Sequence, residues 1–123
     1  MVNRARAVVL LVEDDEPLRE ALSEALRNEG YRVASVADGR LALRWLGEHA
    51  RPALILLDLW MPNGDGWQLR QELRSHDHLR DIPVVVMTAV PQQSAVVLGV
   101  RAVLEKPVTL PHLLETVERH FAL

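Results

Sequence analysis

Residues Ala7 to Asp15 read AVVLLVEDD. Six apolar residues, half of them β-branched, run without interruption and then meet three acids. A short continuous apolar run of this kind suits a strand buried on both faces of a parallel sheet. The next stretch is helical. Pro17 fits a first helical turn, and Leu18, Ala21, Leu22, Ala25 and Leu26 recur at the spacing of one helix face. Gly30 then suits a left-handed helix end. A buried strand leading at once into an amphipathic helix is the opening of a βα unit.

The same unit recurs along the chain. Tyr31–Ala37 alternates as a second strand and closes on the turn pair Asp38-Gly39. A helix begins by Leu41 and ends before Pro52. Ala53–Leu57 (ALILL) is a third, wholly apolar strand, and Asp58 to Gly66, with Pro62, Asn63, Gly64 and Gly66, reads as a loop. Trp67 to Leu73 is a third helix, Ile82–Met87 (IPVVVM) a fourth strand, and Ala89 to Leu98 a short apolar fourth helix. Ala102–Leu104 is a brief fifth strand. Thr109 caps a last helix with Leu110, Leu113, Leu114, Val117 and Phe121 on one face. Five βα units predict an α/β fold of three layers, a parallel sheet with helices on both faces.

Composition agrees with one globular domain over residues 1–123. The chain is 49% hydrophobic and 25% charged, which excludes a disordered or fibrous chain. It has no cysteine, hence no disulfide, thiolate zinc site or cysteine nucleophile. A net charge of −3 gives no electrostatic footprint for nucleic acid. The run at Ala7 is far too short to span a membrane. Arg4 and Arg6 before it resemble the start of a signal peptide, but acids stand where a cleavage site should be. The expected location is cytoplasmic. Thirteen arginines accompany one lysine, Lys106. Codon bias accounts for such a ratio, and so does a task that needs a compact ammonium rather than a planar fork.

Position favours the second account. Polar residues end the apolar strands at one recurring place, the C-terminal end: Glu13-Asp14-Asp15, Asp58, Thr88 and Glu105-Lys106. In an open α/β sheet the ligand crevice lies there. With the first and third strands adjacent, Glu13, Asp14 and Asp58 converge. Two carboxylates about 4 Å apart repel by ~4 kcal/mol at an effective dielectric of about 20, so the cluster needs a cation or raised pKa values. Oxygen donors alone suit Mg²⁺ shared with a phosphate. A threonine hydroxyl and a lone ammonium across the crevice can hold phosphoryl oxygens, and a carboxylate can be the nucleophile. Each residue also has an ordinary reading: the acids as helix caps or turn residues, Thr88 as a strand end, Lys106 as a solvated charge. Their joint placement at four strand ends is what argues for a site.

On the segments VEDD (12–15), LLDLWMPNGDG (56–66), VVVMTA (84–89) and EKP (105–107), the chain resembles the receiver domain of two-component response regulators. The resemblance covers essentially the whole sequence. It implies a flavodoxin-like five-stranded sheet in the order 2-1-3-4-5. It also implies phosphoryl transfer from the phosphohistidine of a sensor histidine kinase or phosphotransfer protein, with Mg²⁺. Asp58 is then the phosphoacceptor. Glu13 and Asp14 are the acidic pair, with Asp14 the direct metal ligand, and the Trp60 carbonyl completes the metal's protein ligands. Thr88 is the switch hydroxyl, Lys106 the ammonium on the phosphoryl group, and Lys106–Pro107 a cis peptide. Ala89 leaves room for the phosphoryl group. Partners implied are the kinase, and a downstream protein target or an output domain elsewhere in a larger regulator or hybrid kinase. A homodimer is open. No catalysis beyond the chain's own phosphoryl transfer and slow autodephosphorylation is expected.

The chain departs from the family pattern in three places. Val103 stands where receivers usually carry an aromatic three residues before the lysine. Thr88 and Lys106 are 18 residues apart, shorter than is usual, which predicts a fourth helix shortened by about one turn or irregular. Val100 and Arg101 occupy a stretch that is often acidic in DNA-binding regulators, so their dimer is not assumed. The first two departures motivate a second reading, a receiver-fold interaction module that no longer switches through phosphorylation. A haloacid-dehalogenase-like phosphatase needs a second aspartate where Trp60 stands. Trp60 and Val90, two residues after Asp58 and Thr88, carry no group to orient water, hence the slow hydrolysis.

The remaining features have plain readings. Trp45 and Trp67 anchor the second and third helices in the core, while Trp60 belongs either to the site's rim or to the core. His76 and His78, with Asp77 and Asp81, form a solvated loop in the ordinary reading and a metal clip in the other. His112 and His120 lie on the surface of the last helix. Gly64-Asp65-Gly66 lacks the third glycine and downstream acid of a dinucleotide loop.

Overall fold

A computed structural model describes residues 7–61, 65–89 and 99–121. Among them are β1 (Val8–Val12), α1 (Glu16–Asn28), β2 (Arg32–Val36), α2 (Gly39–Glu48), β3 (Leu54–Asp58), α3 (Asp65–Ser75), β4 (Val84–Thr88), β5 (Ala102–Glu105) and α4 (Leu110–His120). The five strands form one sheet in the order β2-β1-β3-β4-β5, every neighbouring pair parallel. The fold is α/β and flavodoxin-like, as expected. Of the fourth helix expected over 89–98 only Ala89 is described, and the Pro62-Asn63-Gly64 part of the loop and Val90 also lie outside the described residues.

Alternate side chains along each strand divide the core in two. Val9 and Leu11 on β1 join Leu54 and Leu56 on β3 against Leu22 and Leu26 of α1 and Leu113 and Val117 of α4. Leu10, Val12, Ile55 and Leu57 face the other way, against Ala42 of α2 and Leu69 and Leu73 of α3. The apolar runs of β1 and β3 are continuous because both faces are covered. β2 is an edge strand, half-exposed, which is why its sequence alternates.

The helix ends show how local chemistry sets the boundaries. Asp15 caps α1, its carboxylate accepting from the Leu18 amide at 2.9 Å. At the other end Gly30, with φ of 96°, allows Gly30 N–H to reach Arg27 O and Tyr31 N–H to reach Leu26 O, the paired bonds of a Schellman motif. The Asp38-Gly39 pair, expected as a turn, begins α2 instead: Asp38 accepts from the Leu41 amide at 2.8 Å. Thr109 holds the N-cap position of α4 but makes no side-chain cap bond. α3 starts two residues earlier than the sequence suggests, at Asp65. Gly66 in its first turn explains how: a Cβ there would stand 2.6 Å from the Asp58 carbonyl oxygen and would overlap the Leu59 backbone. The chain can fold back against the end of β3 only because this residue has no side chain.

The other expectations are met or refined in place. Trp45 and Trp67 pack half-buried against the core layer of α2 and α3. Trp60 is 55% exposed, so it belongs to the rim. Its ring meets Trp67 edge-on at 5.6 Å. His112 is exposed and His120 half-exposed. Among the described residues no helix is long and apolar enough to cross a membrane.

Candidate functional site

The strand order places the reversal of winding between β1 and β3, where a crevice opens at the C-terminal strand ends. The register sets the ends level: Val12 pairs with Leu57, Asp58 with Met87, and Thr88 with Glu105. Glu13, Asp58, Thr88 and Lys106 therefore emerge side by side. Backbone bonds continue the ladders into the site, with Glu13 N–H on Val36 O at 3.1 Å, Leu59 N–H on Met87 O at 3.0 Å and Lys106 N–H on Thr88 O at 2.8 Å. The Lys106–Pro107 peptide is cis.

The charged groups meet directly. Lys106 Nζ lies 3.1 Å from Glu13 Oε1 and 3.2 Å from Asp58 Oδ2. Glu13 Oε2 accepts from the Asp15 amide at 3.2 Å, and Asp58 Oδ1 from the Trp60 amide at 3.3 Å. Glu13, Asp14 and Asp58 each offer a carboxylate oxygen, all three within 4.8 Å of one another. Glu13, Asp58 and Thr88 are buried, whereas Asp14 is exposed. The acids thus line a crevice open on Asp14's side.

Electrostatics follow from that burial. Desolvation, together with the neighbouring Asp58 carboxylate, pushes the Glu13 carboxyl up to about 7, against the Asp15 amide and the Lys106 ammonium, which favour its anion. Burial alone would lower the Lys106 pKa, but Glu13 and Asp58 outweigh it, and the net direction is upward. Three carboxylates face one ammonium. The excess negative charge and the all-oxygen donor set fit a hard divalent cation such as Mg²⁺. Asp14, exposed, is the acid a partly hydrated ion reaches first.

The residues singled out in the sequence all lie at this end of the sheet: Glu13, Asp14, Asp58, the Trp60 backbone, Thr88 and Lys106. Two supports were not foreseen. Arg19 Nη1 donates to the Glu13 carbonyl at 2.9 Å, tying the end of β1 to α1. Gly66 lets α3 press against the Asp58 backbone. The legible signal for Arg19 is its place one turn beyond the Asp15 cap. For Gly66 it is a glycine in a first helical turn directly after a site loop.

Comparison with known proteins agrees with this geometry. The family model "Response regulator receiver domain" matches residues 9–118. The chain is 31% identical over 116 residues to the polar-differentiation response regulator DivK of Brucella anthropi, covering 91% of this chain and 94% of that protein. Other curated relatives are longer, and the chain spans 39% to 60% of their length. Among solved structures, chemotaxis protein CheY4 of Vibrio cholerae superposes with a TM-score of 0.84 at 30% identity, over 94% of this chain and 98% of that one. The receiver domain of sensor histidine kinase PA1611 from Pseudomonas aeruginosa, solved with a magnesium ion coordinated in its active-site cleft, superposes at 0.82 with 32% identity, over 93% and 96%. The chain belongs to the response regulator receiver domain family.

Proposed function

We propose that residues 1–123 form one receiver domain that accepts a phosphoryl group on Asp58 from a phosphohistidine and thereby alters its affinity for a protein partner. The donor is a sensor histidine kinase or a phosphotransfer protein. The partner is a separate protein or an output domain of a longer chain. The carrying observation is the meeting of Glu13, Asp58 and Lys106 at 3.1–3.2 Å, with Asp14 beside them.

The residues divide the work. Glu13, Asp14, Asp58 and the Trp60 carbonyl hold Mg²⁺, which when bound offsets the charge of carboxylate and phosphoryl oxygens. An Asp58 carboxylate oxygen attacks phosphorus while the bond to the donor imidazole nitrogen breaks. The electron pair leaves with the imidazole, and an acyl phosphate remains on Asp58. Lys106, already against Asp58, holds a phosphoryl oxygen by a charge-assisted bond, and the Thr88 hydroxyl donates to another. Ala89, exposed beside Thr88, leaves space for the group. The Trp60 side chain at the rim offers water no acceptor to be oriented by, and autodephosphorylation is slow.

One observation favours a second reading. Val103 sits at mid-strand in β5, paired with Val86, so no aromatic at that position can follow Thr88. In this reading the receiver fold binds its partner irrespective of phosphorylation. Beryllofluoride, a mimic of the acyl phosphate, tests the first reading. With Mg²⁺ it should raise the thermal midpoint and shift the tryptophan fluorescence of the wild type, but not of Asp58→Asn. An unchanged wild type would count against phosphoryl binding. A stabilised wild type with unaltered partner affinity would favour the second reading.

A further inference from the structure

At the opposite end of α3 from the acidic crevice, Glu72 and His76 stand one helical turn apart, with His76 Nε2 at 3.4 Å from Glu72 Oε2. Tetrahedral coordination with bonds of about 2.0–2.1 Å separates two ligand atoms by about 3.4 Å. The pair thus already has the spacing of one edge of such a site. His78 is the third group. Its ring centroid lies 5.8 Å from that of His76, the planes tilted by 56°. Two imidazoles bound to one tetrahedral ion through nitrogen have centroids about 5 Å apart. The ligand atoms of the three do not all lie within 4.8 Å of one another in this structure, so His78 has to turn its ring toward Glu72 and His76 for an ion to be held by all three.

The backbone beneath these groups is fixed. The amides of Leu79 and Arg80 both donate to the His76 carbonyl at 3.0 Å, making one tight turn. Leu79 is buried in the core under that turn, and Arg51 Nη1 reaches the His78 carbonyl at 3.4 Å. Glu72 and His76 side chains are each about half exposed, at 53% and 47%, so an ion has access from solvent. Asp77 is drawn away, its Oδ1 lying 3.3 Å from Arg80 Nη1. A cation here also sits at the C-terminus of α3, where the helix dipole favours positive charge.

We propose that Glu72, His76 and His78 form a second cation site, for a late first-row divalent ion such as Zn²⁺, that pins the C-terminus of α3 to the turn before β4. Two imidazoles and one carboxylate select such ions over Mg²⁺, which prefers oxygen donors and near-octahedral geometry. The two sites are therefore chemically distinct and lie at opposite ends of α3.

Isothermal titration of the metal-free protein with Zn²⁺ in excess Mg²⁺ tests this, with Zn²⁺ alone as the probe. The expected result is one Zn²⁺ per chain at micromolar affinity or tighter, weakened about tenfold or more by either His76→Ala or His78→Ala. Glu72→Gln should weaken it also, and Asp58→Asn should leave it unchanged. Binding should raise the thermal midpoint of the wild type and shift the imidazole NMR signals of both histidines. No saturable binding by the wild type would overturn the proposal. So would stoichiometric binding retained in the double histidine variant, or binding lost in Asp58→Asn, which would assign the ion to the acidic crevice. The three residues are surface groups, and circular dichroism checks that each variant is folded. Failure here leaves the phosphoryl reading of Asp58 untouched.

Discussion

Lys106 with Glu13 and Asp58, and Arg119 with Glu115, are carboxylate–cation pairs of similar length, 3.1 and 3.2 Å against 2.9 Å. Their surroundings are opposite. Glu115 and Arg119 lie i,i+4 on α4 with side chains 66% and 67% exposed, in water that solvates either ion equally well alone. Glu13 and Asp58 are buried at the strand ends, where each depends on its neighbours for what water would supply. The surface pair is close to neutral in free energy. The buried group carries more negative charge than its single ammonium can balance, and its geometry is held by strands rather than by the pair itself. Negative charge held out of water and under-compensated is available for binding a cation.

Removing the ammonium should have the largest effect. Lys106→Ala leaves two buried carboxylates facing each other, and the metal-free protein should lose about 2–4 kcal/mol of stability at pH 8, measured by urea unfolding. The loss should shrink near pH 5, where Glu13 is protonated. A variant as stable as the wild type at pH 8 would show that the site is better hydrated than its burial implies.

Proton linkage sharpens the same contrast. Glu13 is raised from 4.5 to about 7 in the folded protein by burial first and then by Asp58. A raised carboxyl contributes stability that is full below the unfolded value and lost as pH rises through the folded one. Metal-free stability should therefore fall between pH 4.5 and about 7, by roughly 2–3 kcal/mol. The upward shift of Lys106 acts only in the alkaline range and leaves this window alone. Glu13→Gln should flatten the curve, and in the wild type Mg²⁺ should bind more tightly as pH rises through the same interval. A pH-independent Mg²⁺ affinity would contradict the link between Glu13 and the ion.

Gly66→Ala acts on the backbone that carries the site. With a Cβ 2.6 Å from the Asp58 carbonyl oxygen, α3 must move, at a cost of about 1–3 kcal/mol, and phosphorylation should slow because the Asp58 end of β3 moves with it. Thermal unfolding and a phosphorylation time course read the two effects separately. The smallest effect belongs to the surface. Arg119→Ala should change stability by less than about 1 kcal/mol, and any pH dependence between 5 and 8 should follow the titration of His120, whose pKa is lowered by burial and then by Arg119 and Arg101. A larger loss would mean that Arg119 does more than pair with Glu115.

The sheet was legible because β1, β3 and β4 are continuous apolar runs that only a doubly covered sheet can bury. The site was legible because Glu13, Asp58, Thr88 and Lys106 each break such a run at its end. Other features depend on tertiary placement and leave little trace in local sequence. Thr109 has the composition of a cap, yet its side chain makes no cap bond. Gly66 looks like one more loop glycine until α3 is seen to fold back onto Asp58. Arg70 reads as a surface residue of an amphipathic helix, yet it is buried and donates to the Gly99 carbonyl at 3.2 Å. Burial lowers its pKa, with help from the neighbouring Arg74. No period in the sequence announces that the chain before β5 passes over this face.

Everything proposed for the crevice turns on whether Asp58 takes up a phosphoryl group. Incubation with acetyl phosphate and Mg²⁺, then intact mass spectrometry with Asp58→Asn alongside, reads this without a kinase or a partner. The wild type should gain one phosphoryl group, dependent on Mg²⁺, and the variant none. A folded wild type that gains no mass, or a variant that gains it equally, would rule out Asp58 as the phosphoacceptor.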